Sequence, residues 1–326
     1  MTETPILTEI FEHFFDPKKR VFLGYLLVSI CLGIGWLVFF RNKTFKKAIK
    51  KIFDAKVFFS RSARTDYKVF FINRVIMIFV SPYLLSQMVI ATSIYYFLHT
   101  IPFFNTIYFR EIPINIIALL FTFSFFLFDD FTKYWVHRFM HKWPILWALH
   151  KVHHSAETLN PITVYRTHPL EGIVFSLRGA FSQGIIISIF IYLFGSKVDL
   201  VTILGVNVFV FVFHIAGSNL RHSHIGIQYW SWLEKLIISP AQHQLHHSLD
   251  LKHYDKNFGA TLAIWDWIFG SLHHSEDVEG LILGIDDNSV DQQGLKELYI
   301  YPLKEMGQIL LEGFNGLRSI TRIFKT

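Results

Sequence analysis

Eight histidines lie at spacings that suit metal binding. Five fall within one stretch, and the HxxHH spacing that closes this stretch returns further along the chain. The eight are His137, His141, His150, His153, His154, His243, His246 and His247. Because residues i, i+3 and i+4 share one face of a helix, each HxxHH triplet is predicted to direct its rings at one point. Imidazole is the commonest metal ligand among side chains, so the pattern predicts a metal site.

The number of histidines indicates two metal ions. Eight imidazoles exceed the capacity of one ion, since zinc takes about four ligands and iron about six. The only cysteine, Cys31, lies in an apolar run, so a cysteine-ligated zinc or iron–sulfur site is excluded. Neutral imidazole suits zinc, iron and copper alike. The ligand type alone therefore leaves the metal open.

Other residues could complete the site. His222 is the preferred ninth ligand, and His214, His224 and His168 are further candidates. A metal-bound imidazole usually donates its second N–H to an oxygen atom, commonly that of a carboxylate. Asp130, Glu157 and Asp250 lie within seven residues of predicted ligands and are candidates for this supporting role. His13, His99, His253, His273 and His274 have no comparable neighbours in the sequence.

Short helices are predicted to carry the histidines. Lys133–Lys142 should continue an apolar helix and place His137 and His141 on one face. Pro144 then restarts the chain, because proline suits the first turn of a helix and disfavours helix in the residue before it. Ser239 and Pro240 predict a second helix start of this kind, with Ser239 as the N-cap and Pro240 as the first helical residue. The two HxxHH triplets should thus lie on two facing helices.

The composition is that of a membrane protein. Hydrophobic residues make up 52% of the 326, with 35 Phe and a mean hydropathy of +0.36. Twenty uncharged residues, Val21–Phe40, match the thickness of a bilayer core. The further predicted spans are Val75–Leu98, Ile112–Phe128, Ile173–Phe194, which contains Arg178, and Val198–Ala216. The net charge of +6 accumulates beside these spans and predicts contacts with anionic lipid rather than with nucleic acid.

Charge asymmetry predicts the orientation. Between Arg41 and Arg74 there are eleven Lys or Arg residues against two acidic ones, which indicates a cytoplasmic loop. Threading the spans from this loop places every clustered histidine on the cytoplasmic face, provided that spans four and five form a hairpin. Arg178 leaves open a shallow re-entrant pair instead. The predicted fold is all-α, with four or five transmembrane helices and a cytosolic helical cap that carries the dimetal site.

Five strings carry a family resemblance. They are WVHRFMH, LWALHKVHHSAETLN, YRTHPLE, ISPAQHQLHHS and YDKNFGATLAIWDWIFG, all between Ile112 and Ser271. With this ordered set of histidine boxes the chain resembles the fatty acid hydroxylase and sterol desaturase superfamily of integral-membrane diiron enzymes. Many members have His-x-Asn at the box that here reads His222-Ser223-His224. The corresponding organisation is an N-terminal membrane region (1–111), a catalytic domain (112–272) and a C-terminal cytosolic extension (273–326).

The resemblance implies an enzyme. The eight clustered histidines and His222 would bind two iron ions, and O2 would be used to hydroxylate or desaturate a sterol, fatty acyl or related lipid. The sequence contains no cytochrome b5 segment, flavin fingerprint or cysteine set for a cluster, so electrons are expected from a separate carrier or reductase. The residues leave two other classes of protein open. A zinc-dependent hydrolase of membrane lipids would leave half of the histidines unused. A metal transporter is disfavoured because the histidine clusters lie outside the predicted spans.

Overall fold

The computed structural model describes residues 6–101, 109, 111–286 and 291–323, without the side chains of 6–10 and 313–323. The helices are α1 (Ile6–Phe15), α2 (Leu23–Gly35), α3 (Phe45–Ile52), α4 (Ala55–Phe58), α5 (Arg61–Val80), α6 (Gln87–His99), α7 (Ile114–Lys142), α8 (Pro144–His154), α9 (Pro169–Phe194), α10 (Val208–Ile215), α11 (Pro240–His246), α12 (Ile264–Ile268), α13 (Leu295–Tyr299) and α14 (Tyr301–Ile323). Strands β1 (Thr202–Ile203) and β2 (Val206–Asn207) form one small antiparallel ribbon. The predicted helical class is confirmed.

Within the described residues, four helical segments are long and apolar enough to cross a membrane. They are Leu23–Phe40, Arg61–His99, Ile114–Lys142 and Pro169–Lys197. The second combines α5 and α6 across a short turn at Ser81–Tyr83. The third, α7, has 29 residues and is therefore about 43 Å long, enough to cross the apolar core and continue beyond it. These helices support a membrane protein, as the composition predicted.

Close helix packing holds α6, α7 and α9 together. A Cβ built on Gly184 would lie 2.9 Å from Ile90 Cγ2, so glycine is what allows α9 to approach α6 here. Arg178, the charge inside the fourth predicted span, lies between α9 and α7. Its Nη1 donates to Asp129 Oδ1 at 2.9 Å and to Thr132 Oγ1 at 2.8 Å. A cation paired inside the protein is compatible with a spanning helix, so Arg178 does not count against α9 as a span.

The fifth predicted span is wrong. Val198–Ala216 is not one helix: it contains the β1–β2 ribbon and then α10, which has eight residues and is only about 12 Å long. Leu204 and Gly205 adopt positive φ angles of 51° and 74°, which a continuous helix forbids. Thr122 of α7 compensates for the lost helical bonds. Its Oγ1 accepts from Val201 N, and its carbonyl accepts from Asn207 Nδ2.

The chain nevertheless returns to the histidine end. α10 begins beside the middle of α7, where the Phe209 and Phe126 rings stack, and it leads directly into the turn Ser218–His222. Irregular backbone at membrane depth is tolerated where protein surrounds it and satisfies its polar groups. A ribbon and a half-length helix therefore replace the second arm of the predicted hairpin.

The histidines lie in a cap, comprising residues 133–168, 217–286 and 291–312. A buried ion pair connects this cap to α5: Arg166 Nη1 lies 3.0 Å from Asp66 Oδ1, and neither side chain is exposed. Asp66 Oδ2 also accepts bonds from Asn160 Nδ2 at 2.8 Å and from Thr163 Oγ1 at 2.6 Å. Arg166 donates to Ser155 Oγ at 2.8 Å. This network fixes the segment that follows α8. The division of the chain into three regions stays a prediction.

Candidate metal centre

Nine imidazoles converge in the cap and form two groups of potential metal ligands. In each group the nitrogen atoms that the rings offer lie within 4.8 Å of one another. Group one consists of His137, His141, His150, His154 and His246, and group two of His153, His222, His243 and His247. The structure thus brings together the eight histidines singled out by their spacing and the preferred ninth, His222. Their role as iron ligands stays a prediction.

Each HxxHH triplet divides between the two groups. α8 contributes His150 and His154 to group one and His153 to group two. The second triplet divides the other way, with His246 in group one and His243 and His247 in group two. Consecutive residues of a helix are rotated by about 100°, so His153 and His154 point apart. The prediction that each triplet aims its rings at one point is therefore wrong. Each short helix spans both groups and fixes their separation.

Local sequence signals set where these short helices begin. Pro144 is the first residue of α8 and Pro240 the first of α11, as the sequence predicts. Ser239 and Gln242 form a reciprocal capping box: Gln242 N donates to Ser239 Oγ at 3.1 Å, and Ser239 N donates to Gln242 Oε1 at 2.9 Å. A capping box satisfies two backbone donors that the first helical turn leaves free. The box therefore fixes the starting point of the helix that carries His243 and His246.

Burial keeps the rings neutral. It lowers the pKa of His153 to about 3, because a charged ring is poorly solvated inside the protein. The same cause, with the neighbouring imidazoles adding to it, lowers the pKa well below its ordinary value for His150, His154, His222, His243, His246 and His247. Neutral imidazole is the form that binds a metal. The rings are therefore ready to coordinate at neutral pH.

Two rings of group one have contacts that call for a cation. His137 Nδ1 donates to the carbonyl of Phe258 and His246 Nδ1 to that of Lys256, both at 2.7 Å. Since a carbonyl only accepts, each neutral ring has its proton on Nδ1 and a lone pair on Nε2. The two Nε2 atoms are 3.1 Å apart, with lone pair facing lone pair. A shared cation removes this repulsion, and the separation suits neighbouring ligands with bonds of about 2.1 Å.

Other ring nitrogens also lack partners. Among the nine imidazoles of the two groups, the buried nitrogens without a hydrogen bond are His141 Nε2, His150 Nε2, His154 Nε2, His243 Nδ1 and both nitrogens of His247. Native proteins rarely leave buried polar atoms unpaired. So many unpaired nitrogens in two compact groups are what a set of metal ligands would show. The two groups fit bound metal ions.

The outer nitrogens of three rings are held by neighbouring residues. His150 Nδ1 lies 2.8 Å from Glu171 Oε1, both side chains being buried. His153 Nδ1 donates to the carbonyl of Arg166 at 3.3 Å. His222 differs, because its Nδ1 receives a bond from the Arg20 guanidinium at 3.2 Å. The first two contacts orient His150 and His153. A neutral His222 that accepts at Nδ1 instead carries its proton on Nε2, which lies 3.1 Å from the Nε2 atoms of His153 and His243.

Three of the candidate ligands belong to neither group. His214 Nδ1 bonds to Ser218 Oγ at 2.8 Å. His168 caps α9, where its Nδ1 accepts from Leu170 N, and its Nε2 contacts the Tyr299 carbonyl. His224 Nε2 bonds to the carbonyl of Lys51. The structure therefore does not bring His214, His168 or His224 into either group, and local turns and caps engage these rings instead.

The three candidate carboxylates also lie elsewhere. Asp130 accepts bonds from the backbone nitrogens of Thr261 and Leu262, both at 3.0 Å, and so positions the loop before α12. Asp250 caps the turn at Leu251–His253. Glu157 lies beside Gly284. In the structure Glu171 and backbone carbonyls, rather than Asp130, Asp250 or Glu157, contact the outer nitrogens of the grouped rings.

Sequence reasoning missed Glu171 and Arg20. Glu171 ends the string YRTHPLE. Its place in this string, which carries part of the family resemblance, was the only sequence feature that could have marked it as part of the site. It lies in the first turn of α9, which places it beside α8. Arg20 immediately precedes the first apolar run. From the sequence it is interpreted as a basic residue that flanks a span and helps to set its orientation. Nothing in the sequence indicates its contact with His222, 202 residues away.

A cleft gives access to group one. It has a volume of about 560 Å³ and reaches the group at His141, His154 and His246. Lys151 and Asp255 are among the charged residues that line it. Group one can therefore be approached along a polar route that does not pass through the helical bundle.

The cap and bundle define a class, a helical membrane protein with two histidine groups that could each hold a metal ion, and comparisons with known proteins narrow it. The sequence profile of the fatty acid hydroxylase family matches residues 122–271. Over these 150 residues the chain is similar to the fatty acid hydroxylase family, as the histidine boxes predicted.

Three relatives illustrate the similarity. Alkylglycerol monooxygenase of Danio rerio is 33% identical over 152 residues, which are 47% of this chain and 30% of the relative. Lathosterol oxidase of Mus musculus is 30% identical over 159 residues, 48% of this chain and 46% of the relative. Delta(7)-sterol 5(6)-desaturase of Gibberella zeae is 30% identical over 150 residues, 46% and 41% respectively. The chain spans less than half of the length of each. No solved structure gives a significant match.

Replacing Glu171 by glutamine is expected to weaken metal binding by about 10- to 100-fold. The change keeps the shape of the side chain but removes the charge that accepts the His150 Nδ1 proton. The measurement is the metal retained per chain after dialysis against increasing chelator. Glu157→Gln, which alters a carboxylate away from the histidines, is the matched control. Equal retention by Glu171→Gln and the wild type at every chelator concentration would contradict the assigned role.

Proposed function

We propose that this protein is a membrane-bound oxidoreductase that uses two iron ions and O2 to hydroxylate or desaturate a lipid. The observation that carries the proposal is the pair of histidine groups, in which neutral rings direct unpaired lone pairs at two points. The relatives support the reaction class, because their names describe oxidation of an alkylglycerol or of a sterol.

The residues divide the work with the metal. When bound, two iron ions with O2 supply the oxidising power for removing hydrogen from an unactivated C–H bond, which no side chain provides. The carbonyls of Phe258 and Lys256 fix the tautomers of His137 and His246. Glu171 orients His150 through the contact between its Oε1 and His150 Nδ1. These fixed contacts hold the donor nitrogens in place, so little reorganisation is needed when a substrate arrives.

A lipid substrate suits the position of the site. α7 continues from the apolar bundle directly to His137 and His141, so the groups lie next to the membrane rather than far from it. An acyl or sterol chain can remain in an apolar environment while one carbon atom reaches the site. Water enters poorly in such a setting, which protects an oxidising centre from side reactions.

The basic loop supports a cytoplasmic location for the cap. Its excess of Lys and Arg follows the positive-inside bias. Some of these charges have partners in the cap, as Arg41 pairs with Asp277 and Arg61 with Asp291. Others on α3, such as Lys46 and Lys47, are exposed beside Phe45. We assign this exposed face to contact with anionic lipid.

Electrons are assigned to a separate carrier or reductase. Each turnover of an O2-dependent hydroxylation or desaturation takes two electrons from outside the substrate and the site. Cys31 is the only cysteine in the sequence, so this chain cannot hold a cysteine-ligated cluster. The cleft at His141, His154 and His246 is the part of the site nearest to such a donor.

The deciding experiment combines metal analysis with product analysis. Full-length protein purified without O2 is expected to contain two iron ions per chain. With lipid extract, a reductant and O2 it should give products changed by about +16 or −2 mass units, the masses of one added oxygen or two lost hydrogens. Zinc in place of iron, with activity that survives iron chelation, would instead identify a hydrolase. Metal flux across vesicles without lipid oxidation would identify a transporter.

A further inference from the structure

A third set of potential metal ligands lies outside both groups. His253, His273 and Glu276 offer ligand atoms that are all within 4.8 Å of one another. His273 Nε2 is 3.1 Å from Glu276 Oε1, and the ring centroids of His253 and His273 are 5.2 Å apart. Spacing alone does not indicate this arrangement, because His253 and His273 are twenty positions apart and neither belongs to a histidine box.

The strongest indication is the state of His253. Its side chain is only 2% exposed, and within the described residues neither of its ring nitrogens has a hydrogen-bond partner. Buried polar atoms normally have partners. An ion bound by one nitrogen of this ring would supply the missing interaction. The adjacent imidazole of His273 and the carboxylate of Glu276 provide the other ligands that zinc prefers.

The backbone on both sides of this cluster is fixed. His273 N donates to Asn257 Oδ1 at 2.8 Å, and the carbonyl of His273 accepts from Gln242 Nε2 at 3.1 Å. Asn257 Nδ2 donates in turn to the Gln242 carbonyl at 3.1 Å. Asp250 caps the turn that carries His253. The backbone that carries the two rings is therefore held by hydrogen bonds, some of which connect it to Gln242 of α11.

The surrounding charges leave the cluster attractive to a cation. Lys252 Nζ lies 2.6 Å from Glu276 Oε2 and 3.8 Å from Asp250 Oδ2. One ammonium group thus faces two carboxylates. The ion pair with Lys252 uses Oε2 of Glu276, whereas Oε1 faces His273. The carboxylate can therefore serve a metal ion with one oxygen and Lys252 with the other.

We infer that His253, His273 and Glu276 bind one zinc ion, distinct from the ions of the two histidine groups. Two imidazoles and one carboxylate leave one tetrahedral position, which water can fill because Glu276 lies at the surface. The ion would join the turn at Leu251–His253 to the segment that follows α12. Since that segment is bonded to Gln242 of α11, the ion would also brace the helix that carries His243 and His246.

The test is zinc binding by full-length protein whose other sites are already loaded. Purified protein is titrated with zinc in competition with a chromophoric chelator, and all metals are counted afterwards. One additional zinc per chain is expected, while the other bound metals stay constant. Glu276→Gln should weaken this zinc by at least about ten-fold, as a lost ligand does, and His253→Ala should remove it. His274→Ala, which changes the neighbouring histidine, should leave it unchanged.

Two outcomes would overturn the inference. Wild-type protein that takes up no additional zinc would leave a hydrogen-bonded cluster of His273, Glu276 and Lys252 without an ion. Additional zinc that survives in both Glu276→Gln and His253→Ala would place it elsewhere. Glu276 is exposed, so its variant stays informative if His253→Ala fails to fold. The comparison counts only the difference between variants, so it holds whichever metals occupy the two groups.

Discussion

Replacing His246 by alanine is expected to abolish lipid oxidation and to remove the metal-dependent part of the protein's stability. His246 lies on α11 and faces His137 of α7, and the proposed ion joins the two elements. Loss of one ligand should reduce metal affinity by more than about 100-fold, since even the residues that orient ligands contribute 10- to 100-fold. Product formation and the thermal unfolding midpoint in detergent, each with and without iron, are the measurements.

The metal-free protein gives the sharper readout. Without an ion, the Nε2 atoms of His137 and His246 face each other at 3.1 Å as two lone pairs. His246→Ala removes that repulsion, so the metal-free variant is expected to lose less stability than truncation of a buried ring usually costs. Adding iron should then stabilise the wild type but not the variant. His99→Ala, at the far end of α6, should respond to iron as the wild type does. A variant that iron still stabilises would contradict the assignment of His246 as a ligand.

Replacing Asp66 by alanine is expected to destabilise the protein by about 3–5 kcal/mol, the usual cost of leaving a buried charge without its partner. Arg166 would remain in a site with no exposure to water. The same arginine donates to Ser155 Oγ and offers its carbonyl to His153, so the segment after α8 should loosen together with group two. The measurement is the thermal unfolding midpoint in detergent, followed by metal content.

Two further variants isolate the charge from the shape. Asp66→Asn retains the size of the side chain and one acceptor oxygen, yet it should be nearly as damaging, because the charge of Arg166 stays uncompensated. Asp277→Ala removes the partner of Arg41 in a pair that is partly exposed, and it should cost about 1 kcal/mol or less. An Asp66→Asn protein as stable as the wild type would show that the buried pair contributes hydrogen bonds rather than charge compensation.

The sequence predicted most of the candidate site. Short-range spacing identified the eight boxed histidines, and proline with serine marked where α8 and α11 begin. These signals are local in sequence, and they were sufficient because the geometry of a helix is set by residues three and four apart. The division of His153 and His154 between two groups follows from the same rotation of 100° per residue, but only once the partner elements are known.

The errors arose where tertiary contacts decide. Val198–Ala216 has the composition of a spanning helix, but Thr122 satisfies the backbone of a ribbon there, and no property of the segment itself reveals that neighbour. His168, His214 and His224 have the same side chain as the ligands, yet a cap, a serine and a carbonyl engage them. Glu171 and Arg20 reach the site through helix packing. The identity of a residue restricts what it can bind, and its surroundings decide which of these contacts it makes.

The direction of three helices has a further electrostatic consequence. α7, α8 and α11 all end within a few residues of their histidines, so their carboxyl ends point toward the two groups. Each such end carries a partial charge of about −0.5. All nine side chains in the groups are neutral imidazoles, which bring no negative charge to balance a divalent ion. The three helix ends contribute part of that charge instead, and the cap thus attracts cations through the direction in which its helices run.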